Sequence, residues 1–202
     1  GLLDVTLSDG ARTSQVRVGS VVMATGFKPY DATKLTDLGY ETLDNVITNV
    51  MMERYASQSG PTEGKIVRPS DGEAPKTVAF VQCAGSRDEN HLPYCSGVCC
   101  AASLKQATYV REQYPEAKIK IFYIDIRTAG RLEDLYTKVA DQGVELIKGK
   151  AAKVEDAGDG SLLVTAEDVM SGTKSAEKVD LLVLATGIVP NSDGLPQEFA
   201  RD

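Results

Sequence analysis

Four cysteines carry the strongest chemical signal in this sequence, and all of them fall between positions 83 and 100. Cys83, Cys95, Cys99 and Cys100 form the pattern Cys-x11-Cys-x3-Cys-Cys in a chain of 202 residues with no other cysteine. A secreted disulfide framework would spread its cysteines through a small, loop-rich chain. Gathering them in one stretch, with no export signal, points instead to a cytoplasmic metal or redox site. Four thiolates are the usual ligand set of a four-iron, four-sulfur (4Fe-4S) cluster, one to each iron. Cys95 and Cys99 face the same way if a helix begins early. Cys100 follows at once, and Cys83 can return from a strand end through a loop. Three other readings of this spacing stay open. Structural zinc usually shows two Cys-x-x-Cys knuckles, which are absent here; a redox disulfide usually uses the same motif. Free buried cysteines also pack as small hydrophobes.

These thiols need elements to position them, and the flanking pattern is β-α-β-α-β. Residues 76–82 form an apolar strand, and residues 97–113 carry a helical pattern that Tyr114-Pro115 should close. A strand over 119–124, a helix over 131–142 ending at Gly143, and a strand over 144–147 follow. Two more strands, near 150–155 and 162–166, flank the Gly158-Asp159-Gly160 turn, and a last apolar strand runs over 181–187. The fold class predicted is α/β: a Rossmann-like dinucleotide-binding domain. Such a domain delivers Gly-x-Gly-x-x-Gly after its first strand, so that backbone N–H groups and a helix N-terminus meet a pyrophosphate. Here the strand ends Gln82-Cys83-Ala84-Gly85-Ser86-Arg87-Asp88, keeping one glycine of that fingerprint. The cysteines therefore stand where phosphates would bind, and an anionic cluster would use the same helix dipole. Asp125, past the second strand, takes the place of a ribose-binding acid, and Arg127 that of a 2′-phosphate contact; without the glycine loop both read as structural. Arg87 and Asp88 read as a pair that salt-links the cysteine loop, and His91, the only histidine, as a solvated loop residue.

Residues 1–26 read as a β-meander, with strands over 3–7, 14–18 and 20–26 and a turn at Asp9-Gly10. The third run ends in Ala24-Thr25-Gly26, and the last strand of the chain ends in Ala185-Thr186-Gly187. The repeated ending suggests two related domains. The boundaries expected are 1–30 for a piece of one domain, 31–75 for connection, 76–190 for the Rossmann-like domain and 191–202 for a return to the first. A short helix is expected near 51–55, and the Gly- and Pro-rich stretch 59–75 reads as a linker. The formal charge of −7 argues against a nucleic-acid binder. No apolar run approaches the ~20 residues of a membrane helix. Without an initiator Met or a signal peptide, the sequence reads as an internal piece of a longer chain.

Two blocks, 79–88 (AFVQCAGSRD) and 94–100 (YCSGVCC), resemble the heterodisulfide reductase A-subunit family. The segments 123–127 (YIDIR) and 64–72 (GKIVRPSDG) are similar to it as well, so the resemblance spans nearly the whole chain. Among its members, the quinone-interacting membrane-bound oxidoreductase subunits of sulfate reducers, linked to adenylylsulfate reduction, look nearest. The resemblance implies a thioredoxin-reductase-type fold, with residues 1–30 a segment of a truncated FAD domain. It implies FAD in the intact protein and a 4Fe-4S cluster held by Cys83, Cys95, Cys99 and Cys100. It also brings Ala24, Thr25 and Gly26, and Ala185, Thr186 and Gly187, close to the flavin. The chain departs from the family in lacking the N-terminal Gly-x-Gly-x-x-Gly unit and the C-terminal Gly-Asp segment that hold most of the FAD.

The function expected is an electron-transfer module of a flavin/iron–sulfur oxidoreductase, relaying electrons toward partner subunits of a membrane-associated complex. The piece alone, without its own membrane span, is expected to be inactive. The alternative is a pyridine-nucleotide-binding domain of a FAD-dependent disulfide oxidoreductase with redox-active cysteines. No catalytic acid, base or nucleophile is assigned.

Overall fold

A computed structural model of the chain describes residues 1–167 and 172–193. Its compact units are Gly1–Lys28 with Pro190–Asp202, and Pro29–Val189. In the first unit, β1 (Leu3–Ser8) and β2 (Thr13–Val18) form an antiparallel hairpin with Leu3 opposite Val18 and Ser8 opposite Thr13. The Asp9 carboxylate closes its turn by accepting from the N–H groups of Ala11 (3.0 Å) and Arg12 (2.7 Å). The expected third strand is absent. Residues 20–26 are irregular and exposed, and regular structure resumes at β3 (Phe27–Pro29). An apolar run becomes a strand when neighbours cover it, and no described strand pairs with 20–26.

The second unit begins its sheet earlier than the sequence suggested. Val46–Thr48 is β4, and the Thr48 hydroxyl caps α1 (Asn49–Ala56) by accepting from Met51 N–H at 3.3 Å. Such a cap contributes about 1 kcal/mol. Residues 31–75, read as connection, thus supply an edge strand and a helix to this unit. Next come β5 (Thr77–Ala84), α2 (Cys99–Gln113), β6 (Lys118–Tyr123), α3 (Leu132–Asp141) and β7 (Glu145–Lys148). The meander β8 (Lys150–Asp156), β9 (Leu162–Glu167) and β10 (Lys174–Val179) leads into β11 (Leu181–Thr186) and then β12 (Ile188–Pro190). Strand β10 is an addition to the sequence reading. Its stretch Lys174–Val179 alternates exposed and half-buried side chains and pairs antiparallel with β9 alone.

The main sheet has the order β4-β11-β5-β6-β7, and every pairing in it is parallel. Strand β5 alternates between two cores. Ala79 and Val81 join Val154 and Val164 of the meander, while Val78 and Phe80 join Leu104, Ala107 and Val110 of α2. Covered on both faces, β5 and β11 are near-continuous apolar runs, as central parallel strands must be. The Asp180 carboxylate anchors the start of β5 by accepting from the N–H groups of Lys76 (2.9 Å) and Thr77 (2.8 Å). No helix among the described residues is long and apolar enough to cross a membrane. The expected return over 191–202 lies mostly at 194–202, outside the described residues.

Candidate functional site

Strand β5 is the topological switch point of the sheet. The chain leaves it through α2 to β6 on one side, while β11 returns on the other. Open α/β sheets bind their ligands at the carboxyl ends of the strands that flank such a point. Cys83 lies at that end of β5, Thr186 at that end of β11, and Cys99 and Cys100 open α2 directly above. The fold therefore carries three of the four thiols to the place where a nucleotide domain holds its pyrophosphate.

Cys83, Cys99 and Cys100 are buried, and Cys95 is half-buried. All four are free thiols. Helix α2 starts at Cys99, later than the sequence pattern suggested, so Cys95 approaches from the loop and not from the helix face. No side chain caps the start of α2, which leaves its first N–H groups and their partial positive charge toward the thiols. The Cys99 thiol donates to the Thr186 carbonyl at 3.4 Å, and Gly97 N–H donates to the Cys95 sulfur at 3.4 Å. Burial, then the neighbouring sulfurs of Cys83, Cys100 and Cys95, push the Cys99 thiol up to about 12. Burial likewise raises Cys83 and Cys100. Cys83, Cys99 and Cys100 would thus ionise at a cost that a bound cation-rich group offsets.

The backbone at this site departs from ordinary values. Cys83 has φ +55° and Arg87 φ +56°, left-handed conformations that cost a non-glycine residue roughly 1 kcal/mol or more. The left-handed turn ends β5 and releases Cys83 from the alternation of the strand. A compact loop follows, closed by Leu92 N–H to Gly85 O (2.9 Å) and Arg87 N–H to Tyr94 O (3.1 Å). Gly85 is needed here, since a methyl group would meet the Tyr30 ring at 2.8 Å on a φ of +77°. The loop is fastened to the start of β12: Ile188 N–H donates to Ser96 Oγ (2.9 Å), and Tyr94 OH donates to Ile188 O (3.0 Å).

The charged residues close the loop from outside. Arg87 pairs with Asp125, whose second oxygen accepts from Arg127 at 3.3 Å, and Asp88 pairs with Lys150 at 2.7 Å. Asp125 is thus engaged by two guanidinium groups at the position of a ribose-binding acid. His91 is not merely solvated: its Nδ1 hydrogen-bonds the Tyr30 hydroxyl at 2.8 Å, with the two rings edge-on. A cavity of about 450 Å³ opens beside Cys83, lined also by Lys34, Leu38, Gly85, His91 and Lys150. Sequence spacing did not reveal Tyr30, Tyr94, Ser96 or this cavity, because each contact joins distant segments.

The two Ala-Thr-Gly segments differ. Ala185, Thr186 and Gly187 are buried, and a methyl group on Gly187 would collide with the hydroxyls of Ser86 and Ser96. Ala24, Thr25 and Gly26 are exposed, with Asn191 N–H donating to Gly26 O at 3.0 Å.

Buried polar atoms without a hydrogen-bond partner include Gln82 Oε1, Ser86 Oγ and Ser103 Oγ. Gln82 precedes Cys83, and Ser103 lies one helical turn beyond Cys99 and Cys100. Among the described residues, no group of three or more His, Cys, Asp or Glu is arranged about a single metal ion. One zinc ion would draw its thiolates to ~2.3 Å from a common centre.

A parallel sheet with a switch-point site and a meander on one face defines a Rossmann-like α/β domain. The FAD-bound cadaverine monooxygenase DfoA of Erwinia amylovora shares this fold, with TM-score 0.51 and 9% identity over 97% of this chain and 52% of that one. The sequence relatives are more specific. The chain is 45% identical over 177 residues to the second iron–sulfur A-subunit of the CoB–CoM heterodisulfide reductase of Methanopyrus kandleri, covering 86% of this chain and 27% of that protein. It is 42% identical over 178 residues to the A-subunit of the ferredoxin/F420H2-dependent CoB–CoM heterodisulfide reductase of Methanosarcina acetivorans, covering 87% and 22%. The chain thus spans about a quarter of the length of the curated relatives it matches. No protein-family model matches it.

Proposed function

We propose that this chain is the cluster-bearing part of a flavin/iron–sulfur oxidoreductase, with Cys83, Cys95, Cys99 and Cys100 as ligands of a 4Fe-4S cluster. The observation that supports this reading is that buried Cys83, near the carboxyl end of β5, and buried Cys99 and Cys100, at an uncapped helix start, lie at the switch point, with half-buried Cys95 on the loop between them. The Methanopyrus kandleri relative bears an iron–sulfur name, which agrees with that donor set. When bound, the cluster supplies one-electron storage. The chain's own residues hold the thiolates, exclude water around Cys83, Cys99 and Cys100, and direct the α2 dipole and the loop N–H groups at the sulfurs.

FAD is proposed for the intact protein, with residues 24–26 and 185–187 as segments that approach it. Two-electron flavin chemistry would then be split into single-electron steps, with partner subunits taking up the electrons. A finer assignment, to complexes that link a quinone pool to adenylylsulfate reduction at the cytoplasmic face of a membrane, rests on the sequence resemblance.

The test is anaerobic reconstitution with iron and sulfide, followed by EPR of the reduced protein. We expect about four irons per chain and a cluster signal, both lost in Cys99→Ser and in Cys83→Ser. Iron no higher than in a variant lacking all four cysteines would overturn the assignment.

A further inference from the structure

We infer that the Arg87–Asp125–Arg127 chain of ion pairs sets the electron affinity of the four-thiolate site, with Arg127 raising it and Asp125 lowering it. This rests on the proposed cluster. The residues converge on one side of the sulfurs from two segments: Arg87 from the loop after β5, and Asp125 and Arg127 from the loop after β6. The Cys100 thiol lies 3.9 Å from the Asp125 carbonyl. Arg87, four residues after Cys83, and Arg127 both pair with the Asp125 carboxylate, the latter at 3.3 Å. One carboxylate thus divides the charge of two guanidiniums in the segment whose backbone meets the Cys100 sulfur.

Iron–sulfur potentials follow net charge, hydrogen bonds to sulfur and exposure. One-electron reduction adds negative charge to a site that already carries four thiolates. A cation beside it favours the reduced form and an anion opposes it. Arg127 is half exposed, so solvent weakens its influence without abolishing it, and its removal disturbs no packed core. Arg87 is more buried, and its left-handed backbone is the strain the loop accepts to bring its guanidinium to Asp125. The same pairing occupies the one acidic group that could have met a nucleotide ribose, so the polar residues of that position serve the sulfurs instead.

The experiment is an EPR-monitored redox titration of the reconstituted protein at fixed pH, each cluster taking one electron from the poised mediators. Arg127→Leu should make the cluster harder to reduce, lowering the reduction equilibrium constant about tenfold, or about 59 mV for one electron. Arg127→Lys should restore most of that loss. Asp125→Asn should shift the potential the other way, because both guanidiniums then act unopposed. Opposite signs for neighbouring substitutions separate an electrostatic role from simple loosening, which would move both the same way. The Arg127→Leu shift should also shrink between low and high salt. Should Asp125→Asn lose its iron, the Arg127 pair and its salt dependence still decide the matter. A wild-type protein without iron sinks both the cluster and this inference. A full cluster whose potential ignores these substitutions, or moves in one direction for all of them, sinks the inference alone.

Discussion

The Cys99 sulfur donates its proton to the carbonyl of Thr186 at 3.4 Å, joining the first residue of α2 to the last residue of β11. A register shift between Leu184 and Thr186 re-aims the backbone at that strand end. The contact requires a protonated thiol, so the metal-free protein uses a proton where the metal-bearing protein would use iron. Asn49 Nδ2 also donates to the same carbonyl at 3.4 Å and keeps it satisfied when the thiol proton is gone.

Alkaline pH should therefore destabilise the metal-free protein. A thiol raised to about 12 in the fold and ordinary near ~8.5 when unfolded favours folding below ~8.5. That contribution is lost as pH climbs from ~8.5 toward 12, since the unfolded chain releases its proton first. Urea midpoints of the metal-free protein should fall across this window, by more than in Cys99→Ala. Iodoacetamide mapping at pH 8 should modify half-buried Cys95 first and Cys99 last. Equal modification rates at the two positions would contradict the burial described.

Gly187→Ala should loosen the cysteine loop. The added methyl group would press on the hydroxyls of Ser86 and Ser96, and Ser96 accepts the Ile188 N–H that ties the loop to β12. Overpacking of this kind costs about 1–3 kcal/mol. Thermal unfolding should show that loss, and the variant should retain less iron after desalting than wild type. An unchanged melting temperature would show that the loop moves aside freely.

The sequence revealed what repeats and periodicity encode. The apolar run that becomes β5 and the helical pattern before Tyr114-Pro115 are local, and both are realised. The run 20–26 shows the limit of that approach. It shares its ending with Leu181–Thr186, yet only the latter has strands on both sides, and strand formation depends on partners as well as composition. Strand β4 is three residues long, too short to show a period. The Arg87–Asp125 and Tyr30–His91 contacts join positions 38 and 61 residues apart, so no local pattern could announce them.

Asp180→Ala should weaken the fold without touching the thiols. Its carboxylate accepts two N–H groups at the start of β5, at the far end of the strand from Cys83. Hydrogen bonds to a charged acceptor contribute about 1.5–3 kcal/mol each before solvent compensation. The site is partly exposed, so a net loss of about 2 kcal/mol is expected in denaturant titration. Iron content per folded chain should match wild type. A variant that melts normally but loses iron would mean that the strand end and strand start are coupled more tightly than this geometry implies.

Cys83 and Cys100 should respond differently to the same replacement, because the backbone holds them differently. Cys83 sits at φ +55°, where glycine is at ease and an L-residue is strained by ~1–2 kcal/mol. Cys83→Gly gives up the packing of one buried sulfur and regains that strain, so the metal-free protein should stay within about 1 kcal/mol of wild type. Cys100 lies in the first turn of α2, where glycine adds a helix penalty of up to about 1 kcal/mol to the lost packing. Cys100→Gly should therefore be the less stable variant by about 1–2 kcal/mol in urea titration of metal-free protein. Both variants should fail to hold a full cluster. If Cys83→Gly proved the less stable of the two, the left-handed turn at the end of β5 would not be a strain kept for its thiol, and the case for a dedicated ligand at that position would weaken with it.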